Sequence, residues 1–194
     1  MHKRGISWMA LGLILIILAV FLTGYNLWDE NRARDTAEQA LHQLQALQPE
    51  NSDYAFRSDM EMPTAKIDNK QYIGIIQIPA LSLLLPVISE WNASDLKCAP
   101  CRYSGSAYSD DMIIAGHNYH SHFGNLKYLT PGDLILFTDM AGNTFSYKVT
   151  ETQVLDGTAV DEMESGDWDM TLFTCTLGGA SRVAVRCVHK FSQN

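Results

Sequence analysis

The sequence predicts an all-β barrel or sandwich preceded by a membrane helix and a helical stalk. Three observations support this arrangement. An uncharged apolar segment lies near the start, a stripe of alanines and leucines follows at helical spacing, and many short runs rich in Ile, Val, Leu, Tyr and Thr come after it. With 194 residues, 46% of them hydrophobic, the chain is long enough for one folded domain with appendages.

The apolar segment carries no charge over residues 5–28. About 20 helical residues rising 1.5 Å each span the roughly 30 Å of a bilayer core. Lys3 and Arg4 precede the segment and two acidic residues follow it, so the positive-inside rule places the rest of the chain outside the cytoplasm. A cleaved secretory signal is the alternative, but AVFLTGYNL contains no clear small-x-small cleavage site. We therefore expect a cytoplasmic tip and a single-pass plasma-membrane anchor over residues 1–28.

The segment after the anchor, residues 29–48, has a helical stripe. Its members follow one another at intervals of four, three, four and three residues: Ala33, Ala37, Ala40, Leu44 and Leu47. This spacing predicts a helix. Because two heptads with small residues make a weak coiled coil, we expect a semi-rigid stalk. Residues 49–70 show no period and are predicted to be a linker to a domain over residues 71–194.

About eight strands are predicted in that domain. They cover residues 72–78, 83–87, a short piece near Tyr103, 112–115, 134–138, 144–155, 170–175 and 182–189. Only short helical stretches fit between them, near residues 91–96 and 123–128. Parallel α/β folds need long crossovers, so the short connections favour an all-β barrel or sandwich.

The charge balance excludes one class of partner. The chain has 22 acidic against 14 basic residues and no Lys/Arg cluster, whereas a nucleic-acid partner requires a basic face. Residues 156–169 are rich in carboxylates and could favour a cationic substrate or Ca²⁺, although a solvated loop is the simpler interpretation. No cofactor or metal is expected.

Four cysteines raise the question of which thiol, if any, is reactive. An even number in an exported protein suggests disulfides. Cys187 alternates in phase with valines on the last strand and is predicted to be a buried core thiol. Cys98 and Cys101 form CAPC, which could be a redox pair, half of a zinc site or part of a disulfide, but their flanks lack the strand and helix of a thioredoxin-type motif.

Three histidines lie close together in AGHNYHSHFGNL: His117, His120 and His122. They could bind zinc only if the backbone brought their rings together, which no regular helix or strand does. His117 differs from the other two because it follows the buried run MIIAG. A side chain just past a strand end can face a cleft.

Cys175 also ends a predicted strand, TLFTC, and the turn LGGAS then leads into a strand with Arg182 and Arg186. A thiol becomes nucleophilic beside a cation or a basic imidazole. In an antiparallel hairpin, one of the two arginines would lie beside the cysteine. Its permanent charge could stabilise a thiolate or a developing oxyanion.

TLFTC followed by RVAV, IIAGH upstream and IPALSLLLPV earlier resemble the sortase family of membrane-anchored cysteine transpeptidases. The resemblance covers about residues 72–189 and implies a closed eight-stranded β-barrel. It makes Cys175 the nucleophile, His117 the catalytic histidine and Arg182 the catalytic arginine, with Arg186 as the rival. Thr174 and Arg186 are expected to contact substrate.

The family's reaction is implied by the same resemblance. Such enzymes cut a C-terminal LPXTG-like sorting signal, hold the acyl group as a Cys thioester and pass it to a cell-wall or pilin amine in Gram-positive bacteria. The segment 156–169 is too short for the inserted helix of class B sortases, while Asn118 and HFGNL look like that class, so the class lies open between D-like and B-like.

Two alternatives remain from the residues alone. One is a membrane-tethered binding or zinc-stabilised structural module. The other is an extracytoplasmic thiol oxidoreductase that uses Cys98 and Cys101.

Overall fold

The computed structural model describes residues 2–49, 55–176 and 178–190. Several parts of the sequence-based predictions lie outside these residues: positions 50–54 of the linker, Leu177 in the turn after Cys175, and the end of the barrel domain at 191–194. Met1 of the predicted cytoplasmic tip lies outside them as well.

The first element is one long helix, α1 (His2–Leu47). Contacts divide the chain into one compact unit up to Arg32 and another from Ala33 onward. In the first unit, the large apolar side chains from Trp8 to Trp28 are exposed. By length and composition, α1 can cross a membrane, as the sequence predicts.

The second unit is built on nine strands. They are β1 (Ala65–Ile67), β2 (Lys70–Ile78), β3 (Leu83–Ile88), β4 (Cys101–Ser104), β5 (Met112–Gly116), β6 (Leu134–Asp139), β7 (Thr144–Asp156), β8 (Met170–Cys175) and β9 (Ser181–His189). Helices here are short: α2 (Val160–Glu164) and three single turns at Pro79–Leu81, Asp95–Lys97 and Leu126–Tyr128.

Eight of these strands close into a barrel in the order β2-β3-β4-β5-β8-β9-β7-β6, and β6 pairs back with β2. The predicted closed eight-stranded barrel is therefore confirmed. Its interior contains side chains with no exposed surface, among them Ile76, Ile114, Phe137, Leu172 and Val185. The barrel has this core because the apolar residues of each strand point inward.

The strand β1 is an addition that the sequence reasoning missed, since it lies in the predicted linker. It pairs with the start of β2 through a two-residue turn, Asp68 and Asn69, with φ of 45° and 70°. Asp and Asn tolerate this left-handed conformation better than other non-glycine residues, and hairpins favour it.

The stripe predicted for a stalk is buried in the structure, except for Leu47 at its end. Ala37, Ala40 and Leu44 belong to the clusters of buried apolar residues that include barrel strands. The Gln48 side chain donates hydrogen bonds to the carbonyl oxygens of Thr138 and Asp139 at the end of β6. Residues 33–47 thus form part of the barrel's own unit, because the small alanines allow the helix to pack closely.

Candidate active site

The site is built where two parallel strands end. β5 and β8 pair in parallel, with Gly116 opposite Thr174. His117 follows Gly116, and Cys175 follows Thr174 as the last residue of β8. The barrel thus brings together two strand ends that lie almost 60 residues apart in the sequence.

Arg182 lies directly across from Cys175 in the antiparallel pair of β8 and β9. Such cross-strand partners project on the same face with Cβ atoms about 5 Å apart. The Arg182 guanidinium donates hydrogen bonds to the carbonyl oxygens of Gly179, at 2.9 Å, and Ser181, at 3.2 Å. Gly178 and Gly179 have φ of 88° and 73°, so this turn requires the freedom of glycine.

A cavity of about 170 Å³ opens beside the thiol. Cys175 and Arg182 line it together with mostly apolar side chains. Three rings follow one another edge to face along it: Trp91 to Tyr103, with centroids 6.1 Å apart, and Tyr103 to Phe173, 5.5 Å apart. A mostly apolar cavity that also presents a thiol, the Arg182 guanidinium and the Asp156 carboxylate has the composition of a ligand-binding site.

Sequence reasoning missed these aromatic residues. The alternation along β8 could have placed Phe173 on the same face as Cys175. Trp91 and Tyr103 carry no such signal, because they reach the cavity from the loop after β3 and from β4.

His117 is not among the residues that line this cavity, although it directly follows β5, the strand that pairs with β8. Its half-buried ring stacks on Tyr119, with centroids 3.9 Å apart and planes 19° from parallel. Its carbonyl accepts a hydrogen bond from the Phe123 amide, so the loop folds back on the histidine. The Phe123 ring lies so close to Gly116 that a Cβ there would collide with it.

His122 occupies the interior behind this loop. It has no exposed surface, and neither ring nitrogen has a hydrogen-bond partner among the described residues. Burial, and secondarily the charge of His117, lowers the pKa of His122 to about 4. His122 is therefore neutral at pH 7.

The two residues expected to contact substrate, Thr174 and Arg186, are both buried, with 3% and 2% of their surface exposed. Thr174 alternates with Cys175 and belongs to the opposite face of β8. Arg186 lies opposite Thr171 and donates hydrogen bonds to its hydroxyl and to backbone carbonyls of α2. The structure thus surrounds both side chains with protein.

The four cysteines are free thiols. Cys101 and Cys187 are fully buried, and burial raises the pKa of each to about 12. The prediction of a buried Cys187 is confirmed. A buried thiol of such high pKa is inert, which argues against redox chemistry at CAPC. Cys175, in contrast, is half-buried beside a cation.

The acidic segment 156–169 is more than the solvated loop that its composition suggests. Its residues 160–164 form α2, where Met163 is buried and lines the cavity together with Ala159 and Val160. Within the described residues, no three His, Cys, Asp or Glu side chains are arranged to bind a metal ion, and this includes the histidine cluster.

A closed barrel with a cysteine, a histidine and an arginine at the ends of neighbouring strands defines a class of thiol-dependent acyl-transfer enzymes. The model of the sortase domain matches residues 76–190. The chain belongs to the sortase family, whose members are cysteine transpeptidases.

Curated relatives agree with this assignment, and a solved structure shares the fold. Sortase A of Bacillus anthracis is 26% identical over 189 residues, which are 90% of this chain and 89% of that protein. Sortase D of Bacillus subtilis (strain 168) is 26% identical over 115 residues, 57% of each chain. The crystal structure of sortase C1 from Streptococcus agalactiae has a TM-score of 0.58 at 22% identity, covering 84% of this chain and 88% of that one.

Proposed function

We propose that this transpeptidase cleaves an LPXTG-like sorting signal near the C-terminus of an exported protein and joins the new carboxyl end to an amine of the cell wall or of a pilin. One observation carries the proposal: Cys175 and Arg182, paired across a hairpin, both line a mostly apolar cavity, and His117 follows the neighbouring strand β5 at the same edge of the barrel.

In the first half-reaction, the Cys175 thiolate attacks the carbonyl carbon of the scissile peptide bond. The C–N bond breaks, and His117 as imidazolium gives its proton to the leaving amine. The product is a thioester at Cys175. In the second half-reaction, the acceptor amine attacks the thioester and gives a proton to His117, so that an amide forms and the thiolate is released.

Arg182 stabilises both oxyanions in this scheme. Its guanidinium stays charged at any working pH and lies on the face of the sheet that carries the sulfur. We revise the roles of Thr174 and Arg186, because direct contact with substrate is difficult for side chains enclosed by the fold. The cavity residues Trp91, Tyr103 and Phe173 take that role instead.

The predicted membrane anchor determines where in the cell the reaction would take place. With Lys3 and Arg4 before the apolar segment of α1, we propose a single-pass plasma-membrane protein of a Gram-positive bacterium with the barrel on the outer side. Substrates that emerge from the membrane would then meet the enzyme at once.

A transpeptidation assay tests the proposal. The full chain in detergent is incubated with a library of sorting-signal peptides and with either a diamino acid or a lysine-containing pilin peptide as acceptor. Mass spectrometry should detect the ligated product, and Cys175→Ala should abolish it.

The doubly substituted C98A/C101A chain is the matched control and should retain activity. If that chain loses ligation while Cys175→Ala keeps it, the nucleophile has been assigned to the wrong cysteine.

A further inference from the structure

Arg186 is a buried cation that the reaction scheme does not use. Its guanidinium donates hydrogen bonds to the carbonyl of Met163, at 2.7 Å, to the hydroxyl of Thr171, at 3.0 Å, and to the carbonyl of Glu162. Two of the three acceptors lie in α2, and the third lies on the neighbouring strand β8.

The end of α2 needs such a donor. The last four carbonyls of a helix have no partner within it and carry partial negative charge. No basic residue of α2 itself lies in its last turn, and the helix is only five residues long. A helix this short is not stable on its own, so the cation from β9 supplies what its sequence lacks.

The position of α2 matters for the cavity. Val160 and Met163 line the cavity beside Cys175 and Arg182. Arg186 reaches α2 from the barrel, and Glu151 on β7, its cross-strand neighbour, partly offsets the charge of the guanidinium. The strand β9 therefore holds this part of the cavity wall in place through the side chain of Arg186.

We propose that Arg186 is a positioning residue that fastens α2 as one wall of the cavity and so sets the affinity for apolar groups approaching Cys175. As applied to sorting signals, this inference rests on the proposed function. The guanidinium itself does not touch the substrate: it acts through the backbone of Glu162 and Met163.

Arg186→Met, which keeps the length of the side chain but removes its donors, tests the proposal in the full chain. Amide hydrogen exchange over residues 161–166 should become about tenfold faster or more, since charge-assisted hydrogen bonds of this kind are lost. Exchange in β8 and β9 should stay as slow as in the wild type.

A second readout needs no knowledge of the natural substrate. The rates at which N-benzylmaleimide and iodoacetamide modify Cys175 are compared by peptide mass spectrometry. In Arg186→Met, the modification rate with N-benzylmaleimide divided by the rate with iodoacetamide should fall about tenfold. The iodoacetamide rate itself should stay within about twofold of the wild-type rate. Arg186→Lys, which keeps the charge, should recover part of the ratio.

Thr171→Val is the matched control, because it removes the acceptor outside α2 and leaves the two carbonyls of the helix in place. In Thr171→Val, the ratio of the two modification rates of Cys175 should equal the wild-type ratio. An unchanged ratio in Arg186→Met, or exchange that accelerates equally in α2, β8 and β9, would overturn the proposal.

A peptide assay separates this inference from the proposed function. If the wild type cleaves a Leu-Pro-X-Thr-Gly peptide, KM should rise in Arg186→Met with kcat nearly unchanged. If no sorting peptide is cleaved, the proposed function fails, while exchange and alkylation still decide the role of Arg186.

Discussion

At the scale of single residues, the cysteine proposed as nucleophile differs from Cys101 and Cys187 in its surroundings. Cys101 and Cys187 are enclosed by apolar side chains, whereas Cys175 ends a strand and faces Arg182. Burial raises the pKa of the Cys101 and Cys187 thiols to about 12, because an apolar interior solvates an ionised sulfur poorly. The same sheet thus contains both a buried, inert thiol and the thiol that we propose as the nucleophile.

Arg182 gives the first prediction at this scale. Arg182→Ala should lower kcat/KM for a sorting peptide about 100-fold or more, because it removes the donor to the oxyanion. Arg182→Lys should recover only part of this loss, since an ammonium lacks the planar fork of donors. Equal activity of Arg182→Ala and the wild type would show that Arg182 has no role in the reaction.

Tyr119 gives the second prediction at the scale of single residues. Its ring stacks on His117, so Tyr119→Ala should remove one of the contacts that orient the imidazole and lower kcat about tenfold or more. Tyr119→Phe is the matched control, which keeps the stacked ring and should keep kcat. Steady-state kinetics of both variants check this expectation, and equal losses would point to the hydroxyl instead of the stack.

His122 gives a prediction about pH and stability. Its pKa is lowered from 6.5 to about 4 in the folded chain. As the pH falls, His122 is therefore protonated in the unfolded chain at a higher pH than in the folded chain. The free energy of unfolding should therefore decrease between pH 6.5 and pH 4, by about 3 kcal/mol from this residue alone.

Denaturant unfolding of wild type and His122→Leu at pH 7, 5.5 and 4 measures this contribution. The variant should show a flatter dependence on pH, whatever its stability at pH 7. Identical slopes for the two chains would mean that His122 is solvated or already paired in the folded protein.

The sequence supports the proposed roles of Cys175, His117 and Arg182 because each lies at, or one residue from, the end of a strand with a recognisable pattern. It could not show that Thr174 and Arg186 are buried. For Arg186 the decisive contacts come from α2, about 20 residues earlier in the sequence, and a charged side chain on a strand is ordinarily assumed to face solvent.

At the scale of elements, α1 shows how one periodic stripe permits two interpretations. An alanine and leucine face at helical spacing suits a stalk as well as a helix packed on another surface. The structure buries this face, and the missed strand β1 extends the same unit into the predicted linker. Sequence periodicity identifies the face but not what covers it.

Leu44 tests the packing of this helix. Its side chain has no exposed surface, so Leu44→Ala should lower the free energy of unfolding by about 2–5 kcal/mol. Leu47 is 59% exposed on the same helix, and Leu47→Ala should change stability by about 0.5 kcal/mol or less. Denaturant unfolding in detergent compares the two, and equal effects would contradict the burial of the helix face.

At the scale of the whole molecule, closure of the barrel assembles the site. The parallel pairing of β5 and β8 aligns two strand ends, and the β8–β9 hairpin adds the arginine. The turn LGGAS predicted the hairpin, but the local sequence pattern could not predict the parallel pairing of β5 and β8 and left both a barrel and a sandwich open. The family resemblance predicted that the sheet closes into a barrel, and the pairing of β6 with β2 confirms this prediction.

The most direct test of this assembly is the mass of the enzyme during turnover. Chain mixed with a sorting peptide and quenched in acid should carry a covalent acyl group, and peptide mapping should locate the thioester at Cys175. His117→Ala should slow its formation, and Cys175→Ala should prevent it. An acyl group at another residue, or ligated product formed without any acyl-enzyme, would contradict the account.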